Sequence, residues 1–279
     1  MATYTKLAVN TTEEQGDILA AYLADYPFDS FDYEEGLFGA YAPKETLKEC
    51  HDEVVEMLEA EGFIDYYFED IEIENWNAKW ESNFKEVDVD GKVLIRAPYH
   101  TSHTNYNGLE IIIQPKMSFG TGHHATTQLM VKSLLATNLQ GKRVLDMGSG
   151  TGVLAIVAAK LGAESVVAVE IDEMAEESVR ENIELNGVAD KVKSIWGDAS
   201  SIEGMEFDII LANINRNILL ADMERYVATL AQEGEIVLSG FLEEDIAILV
   251  EKGKSLGLEL RRETACEEWR ALEFVKVNY

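Results

Sequence analysis

From residue 142 to the end, short apolar runs alternate with longer amphipathic stretches, and this pattern predicts strands and helices in turn. Val144-Leu145 begins a buried strand, and Val153–Ala159 is an apolar helix ending near Gly162. Val166–Val169 is a second strand, and a helix runs from about Glu173 to Leu185 and stops at Asn186-Gly187. Val192–Trp196 and Asp208–Leu211 are the third and fourth strands. A helix over Ile218–Leu230, a strand over Glu235–Ser239 and a helix over Asp245–Leu256 follow. Leu258–Glu263 and Arg270–Val277 close the chain as an antiparallel pair. Strands alternating with helices argue for a doubly wound α/β domain.

The first 74 residues follow another rhythm. Tyr4–Val9 alternates as a strand does, and Thr11 with Glu14 offers a capping box for a helix whose apolar face is Ile18, Leu19, Tyr22 and Leu23. Phe28–Tyr33 and Leu37–Tyr41 flank Glu34-Glu35-Gly36 as a hairpin. Pro43 opens a second helix with Leu47, Val54, Val55 and Leu58 on one side, and Phe63–Ile73 is a last strand. The order β-α-β-β-α-β is that of a small α+β ferredoxin-like domain. Residues 75–115 read as a linker with some structure of its own, in which Val93–Ala97 and Leu109–Ile113 can pair and Trp76 and Trp80 are packing residues. His100 and His103 lie between those runs without an evident third ligand, so they read as loop residues and no metal site is expected. The second domain then spans 116–279, opening with the polar, glycine-bearing loop Ser118–Thr127 and a helix over Gln128–Leu135 that Thr126 or Thr127 could cap.

Charge sharpens this division. The chain of 279 residues carries −29, and residues 1–75 hold 3 Lys and no Arg against 20 Asp and Glu, a balance of −17. Such a field repels nucleic acid and membrane surfaces and favours basic partners, although solubility alone would also account for it. No run approaches the roughly 18 apolar residues of a membrane helix, and the N-terminus shows no secretory signal. Cys50 and Cys266 form no metal or redox motif, so a cytoplasmic location is expected.

The candidate chemistry sits at the ends of the predicted strands. Asp146 ends the first and is followed by Gly148, Gly150 and Gly152. A dinucleotide fingerprint would need glycine at position 153, where valine stands. The pattern D-x-G-x-G-x-G instead resembles the first motif of the S-adenosylmethionine-dependent methyltransferases. In that reading Asp146 faces the cofactor's ammonium and the glycines, Gly148 and Gly150 among them, lie by its ribose. Glu170, 22 residues after Gly148, can accept both ribose hydroxyls. Asp198 is a candidate for the adenine amine, or an acid in a surface turn. Asn213 offers an acceptor and a donor beside the reacting centre.

The loop F-G-T-G-H-H-A-T-T, the D-M-G-S-G-T-G motif and the tripeptide A-N-I, in that order and spacing, resemble the ribosomal protein L11 methyltransferases over about residues 115–279. The segment from Asn75-Trp76 through Trp80 to Phe84 is similar to that family's linker. The resemblance implies a class I methyltransferase fold, a Rossmann-like seven-stranded sheet preceded by a smaller ferredoxin-like substrate-recognition domain. It implies S-adenosylmethionine as cofactor and trimethylation of amino groups, chiefly lysine, on a basic large-subunit ribosomal protein. It places the cofactor at Phe119, Thr127, Gly148, Glu170 and Asn213, with Asn213 also the catalytic residue. Relatives often carry Asp where this chain has Glu170, which keeps the carboxylate and adds a methylene. His123 or His124 could serve as a base, but no base is compelled. An amine methyltransferase acting on nucleic acid or a small molecule, and a cofactor-binding protein without catalysis, are the alternatives.

Overall fold

A computed structural model describes residues 3–23, 26–34, 36–72, 84–103, 105–115 and 120–277. The chain divides into two units, Met1–Trp80 and Glu81–Tyr279. The first contains β1 (Thr3–Asn10), α1 (Glu13–Leu23), β2 (Ser30–Glu34), β3 (Leu37–Pro43), α2 (Lys44–Ala60) and β4 (Tyr66–Glu72). Its antiparallel sheet has the order β2-β3-β1-β4. Alternate residues of one sheet face, Leu7, Val9, Phe38 and Ala40, share a core with Leu19, Leu23, Leu47, Val54 and Leu58 from the helices. Thr12, rather than Thr11, accepts the amide of Gln15 at the start of α1, because Thr12 and Gln15 have the same capping spacing as Thr11 and Glu14. Trp76 and Trp80 lie outside the described residues.

The second unit opens with β5 (Val87–Val89), β6 (Val93–Arg96) and β7 (Leu109–Ile112), then α3 (Ala125–Ala136). The alternating region follows as β8 (Arg143–Met147), α4 (Val153–Lys160), β9 (Ser165–Glu170), α5 (Glu173–Leu185), β10 (Val192–Trp196), β11 (Phe207–Asn213), α6 (Arg216–Thr229), β12 (Leu230–Leu242), α7 (Ile246–Ser255), β13 (Leu258–Cys266) and β14 (Trp269–Lys276). Seven strands form one sheet in the order β10-β9-β8-β11-β12-β14-β13. The first five run parallel, and β14 pairs antiparallel with both β12 and β13. The order reverses beside β8, so the carboxyl ends of β8 and β11 frame the crevice where such sheets take ligands.

Both sheet faces are buried, which is why the parallel strands are continuous apolar runs. Val144, Ala168 and Leu211 face a core shared with α3, α4 and α5, while Leu145, Val169 and Ile210 face one shared with α6 and α7. Each fully buried Val, Leu or Ile contributes about 1.5–3 kcal/mol by leaving water.

The expected linker at 75–115 is divided by the fold. Val89, Val93, Ile95, Ile111 and Ile113 are buried in the same core as α4 and α5, so strands β5 to β7 are part of the second unit. Two asparagines, Asn182 in α5 and Asn186 at its C-cap, hold this small sheet. Asn186 accepts the amide of Ile112 and donates to its carbonyl. Asn182 accepts the amide of Gln114 at 2.8 Å and donates to the carbonyl of Thr151 at 2.9 Å. Helix periodicity shows only that these positions face inward; their backbone partners are distant in sequence. Replacing Asn182 by Ala leaves the Gln114 amide and Thr151 carbonyl unpaired, and is expected to lower unfolding free energy by about 2–4 kcal/mol. Urea denaturation measures it, and a loss within error of zero contradicts the bracing role.

Candidate active site

Four strand ends and one helix meet at the crevice. Parallel register places Leu211 beside Asp146 and Ala212 beside Met147, so Asn213 at the end of β11 lies next to the glycine turn that follows β8. Side-chain alternation puts Asp146 and Asn213 on the face covered by α3 and α4.

The turn itself is shaped by backbone geometry. Gly148 and Gly150 have φ of 70° and 56°, in the left-handed region that favours glycine. A Cβ on Gly148 would also overlap Cγ2 of Ile214. The amides of Gly148 and Ser149 both donate to the carbonyl of Val169 at 2.9 and 3.1 Å. Glu170 completes the hold: its Oε2 accepts from Gly150 N at 2.8 Å, and its Oε1 accepts from Ile171 N and Asp172 N at 2.9 and 3.1 Å. A carboxylate has about four acceptor positions, so three backbone amides leave room for about one further donor.

Asp146 is buried. Its Oδ2 accepts from Ala155 N at 3.0 Å in the first turn of α4, and its Oδ1 has no hydrogen-bond partner. Burial pushes its carboxyl up to about 7; the nearby Glu170 charge adds to that rise and the Ala155 amide opposes it. Asn213 Oδ1 is likewise buried without a partner, as are Thr127 Oγ1 and Ser149 Oγ. Buried polar atoms left unpaired cost about 1–3 kcal/mol each. Three of them, on Asp146, Ser149 and Asn213, lie in or beside the glycine turn, and Thr127 in the first turn of α3 adds a fourth.

On the other face of the sheet the crevice deepens into an apolar pocket with walls from Met147, Val169, Ile171 and Ile214, and with Asp198 among its lining residues. Asp198 caps the short 3-10 helix Ala199–Ile202; its Oδ1 accepts from the hydroxyl and amide of Ser200, which hold its carboxyl below the usual range. Its turn role and its place at the pocket are thus both real features. Phe119 lies outside the described residues.

The histidine loop has a structural task. His124, not Thr126 or Thr127, is the N-cap of α3: its Nδ1 accepts the amide of Thr126, and its ring packs edge to face on Trp269 with centroids 4.7 Å apart. The ring nitrogen reaches the capping position, while both threonines already lie within the first turn. His123 packs edge to face against Phe84, and burial lowers its pKa. His100 and His103 lie against Glu86, with His103 Nε2 at 2.8 Å from its carboxylate. Thr151 was not marked by the sequence pattern, yet it ties the loop to the turn by donating to the carbonyl of Gly120 at 2.7 Å. Its threonine inside the glycine motif was the available signal.

An aspartate with its pKa raised from about 3.9 to about 7 binds more protons folded than unfolded between those values. Stability from this group is therefore full below about pH 4 and is lost as pH rises through about 7. With the site empty, wild type is expected to lose stability relative to Asp146→Asn by up to about 1.4 kcal/mol per pH unit across that window. Chemical denaturation at several pH values checks this, and a pH-independent difference contradicts it.

Comparison with known proteins bears on this crevice. The family described as ribosomal protein L11 methyltransferase (PrmA) matches residues 5–277. The chain is 44% identical over 268 residues to the ribosomal protein L11 methyltransferase of Porphyromonas gingivalis, covering 95% of this chain and 92% of that protein. It is 41% identical over 271 residues to that of Bacteroides fragilis, covering 95% of each. Among solved structures, ribosomal protein L11 methylase from Lactobacillus delbrueckii subsp. bulgaricus aligns with a TM-score of 0.65 at 24% identity, over 70% of this chain and 100% of the other. A methyltransferase from Pyrococcus furiosus aligns with a TM-score of 0.51 at 24% identity, over 60% of this chain and 90% of the other. The structural likeness concerns the fold; the sequence likeness runs through both units.

Proposed function

The chain belongs to the ribosomal protein L11 methyltransferase family, and on that premise we propose that it transfers methyl groups from S-adenosylmethionine to lysine amino groups of ribosomal protein L11. The observation that carries this reading is the set of buried polar atoms without partners that includes Asp146, Ser149 and Asn213 at the glycine turn. Its chemistry suits an amino acid joined to a nucleoside. Asp146 Oδ1 is an acceptor for the ammonium. Thr127 and Ser149 bring hydroxyls, the remaining acceptor of Glu170 suits a ribose hydroxyl, and the apolar pocket with Asp198 suits the base. Gly148 and Gly150 let the backbone approach. Phe119 belongs with this set by the resemblance of its loop. When bound, S-adenosylmethionine supplies a sulfonium methyl group as the electrophile.

The rest falls to the protein's own groups. A lysine amine must be neutral to attack, and in water its pKa is about 10.4. Entry into a water-poor crevice disfavours the ammonium and lowers that value. Asn213, with an unpartnered Oδ1 next to the turn, accepts an amine N–H and aims the nitrogen lone pair. Each methylation removes one N–H, so a single flexible acceptor accommodates successive rounds better than a fixed set would. Nδ1 of His124 is engaged in capping α3, so proton loss to solvent before attack is the simpler route.

Residues 1–74 are proposed to capture the substrate. Their charge suits a basic ribosomal protein, and such a substrate puts the enzyme in the cytoplasm. No helix among the described residues is long and apolar enough to cross a membrane.

Turnover of labelled S-adenosylmethionine with purified ribosomal protein L11, and mass analysis of its lysines, tests the proposal; no transfer to L11 contradicts it. Asn213→Ala is expected to lower kcat about a hundredfold, with cofactor affinity changed less than threefold. Unaltered kcat rejects the role of Asn213. The KM for L11 is expected to rise steeply between 0.05 and 0.5 M salt, as the Debye length shrinks from above about 10 Å to below it, while cofactor affinity stays nearly level. A flat KM leaves the acidic unit no part in capture.

A further inference from the structure

Helix α6 presents three residues at four-residue spacing to the pocket behind the glycine turn, Ile218, Asp222 and Tyr226. Ile218 continues the apolar wall. The other two are out of place in a purely apolar slot. Tyr226 is fully buried, and its hydroxyl has no hydrogen-bond partner. Asp222 is half-buried beside it and accepts no hydrogen bond among the described residues. Burial raises both groups, Asp222 above the usual carboxylate range and the Tyr226 phenol above its own. Neither residue belongs to a sequence motif, and the Tyr226 hydroxyl is not needed for packing: phenylalanine would fill the same core volume as Tyr226 and leave no hydroxyl unpaired. Asp198 lines the same pocket, with Oδ1 occupied by Ser200.

We propose that Asp222 and Tyr226 form a specificity pair that reads the base of the methyl donor and selects a 6-aminopurine over a 6-oxopurine. The inference rests on S-adenosylmethionine being that donor. The pocket offers carboxylate acceptors from Asp198 and Asp222 and one hydroxyl that donates or accepts. A 6-aminopurine offers amine donors and ring-nitrogen acceptors, which complement that set. A 6-oxopurine turns a carbonyl oxygen toward carboxylates and leaves buried acceptors facing one another. Sites built around a hydrogen bond to one ligand group reject analogues lacking it, because the site's own groups are then left unpaired.

Calorimetric titration of the full chain with S-adenosylhomocysteine and with S-inosylhomocysteine tests the pair. Wild type is expected to prefer the adenosine compound at least about tenfold. Tyr226→Phe is expected to weaken S-adenosylhomocysteine about five- to tenfold while raising the melting temperature of the empty protein, since it removes an unpaired buried hydroxyl. A merely structural tyrosine would show the stability change with the affinity unaltered, and that result overturns its role. Asp222→Asn is expected to bring the preference for the adenosine compound down by about tenfold; an unchanged ratio overturns the role of Asp222. If wild type binds neither compound, the methyl donor itself is misassigned and the inference falls with it. If wild type binds and both variants match it, the pair alone is rejected.

Discussion

One carboxylate holds the catalytic unit's crevice in shape. Glu170 ends β9 and accepts three backbone amides, one from the glycine turn and two from the start of the next segment. Hydrogen bonds to an ionised acceptor are roughly twice as strong as neutral ones; the Gly150 bond joins the carboxyl ends of β8 and β9, and the other two shape the exit from β9. Beside them the turn, whose glycines sit in the left-handed region, is held by the Val169 carbonyl, by the Gly152 amide on the Ser149 carbonyl and by Thr151 and Asn182.

With the turn fixed, its neighbours can keep polar atoms unpaired. Asp146 Oδ1, Thr127 Oγ1, Ser149 Oγ and Asn213 Oδ1 are each buried without a partner, and the apolar cores on both faces of the sheet supply the stability that tolerates them. Thr151 and Asn182 extend the brace outward, from Gly120 through the turn to α5 and the small sheet of β5 to β7. The two faces of the main sheet divide the work. Asp146 and Asn213 lie on the α4 face, the one proposed for the amino acid group and the attacking amine; the apolar pocket proposed for the base lies against α6.

What was legible in the sequence follows from local physics. The parallel strands could be read because burial on both faces makes them continuous apolar runs, and glycines mark the turns where ligands approach. Asp146, Gly148 and Asn213 stood at strand ends, where topology alone brings them together. Other features had no local signature. His124 replaces a threonine as cap because a ring nitrogen reaches the free amide. Residues 75–115 read as a connector because short strands with a long crossover carry a weak period, and only the core that Val89, Val93, Ile95, Ile111 and Ile113 share with α4 and α5 shows where those strands belong. Asp222 and Tyr226 lie on a helix that the apolar pattern identified, but what they face is set by tertiary packing.

The claim that Glu170 shapes the crevice before any ligand arrives is tested most directly by amide hydrogen exchange in the ligand-free chain. The amides of Gly150, Ile171 and Asp172 are expected to exchange slowly in wild type, and Glu170→Ala is expected to speed all three, with amides in the centre of β8 and β11 unaffected. Rapid exchange of those amides in ligand-free wild type, slowing only when S-adenosylmethionine is added, would contradict it.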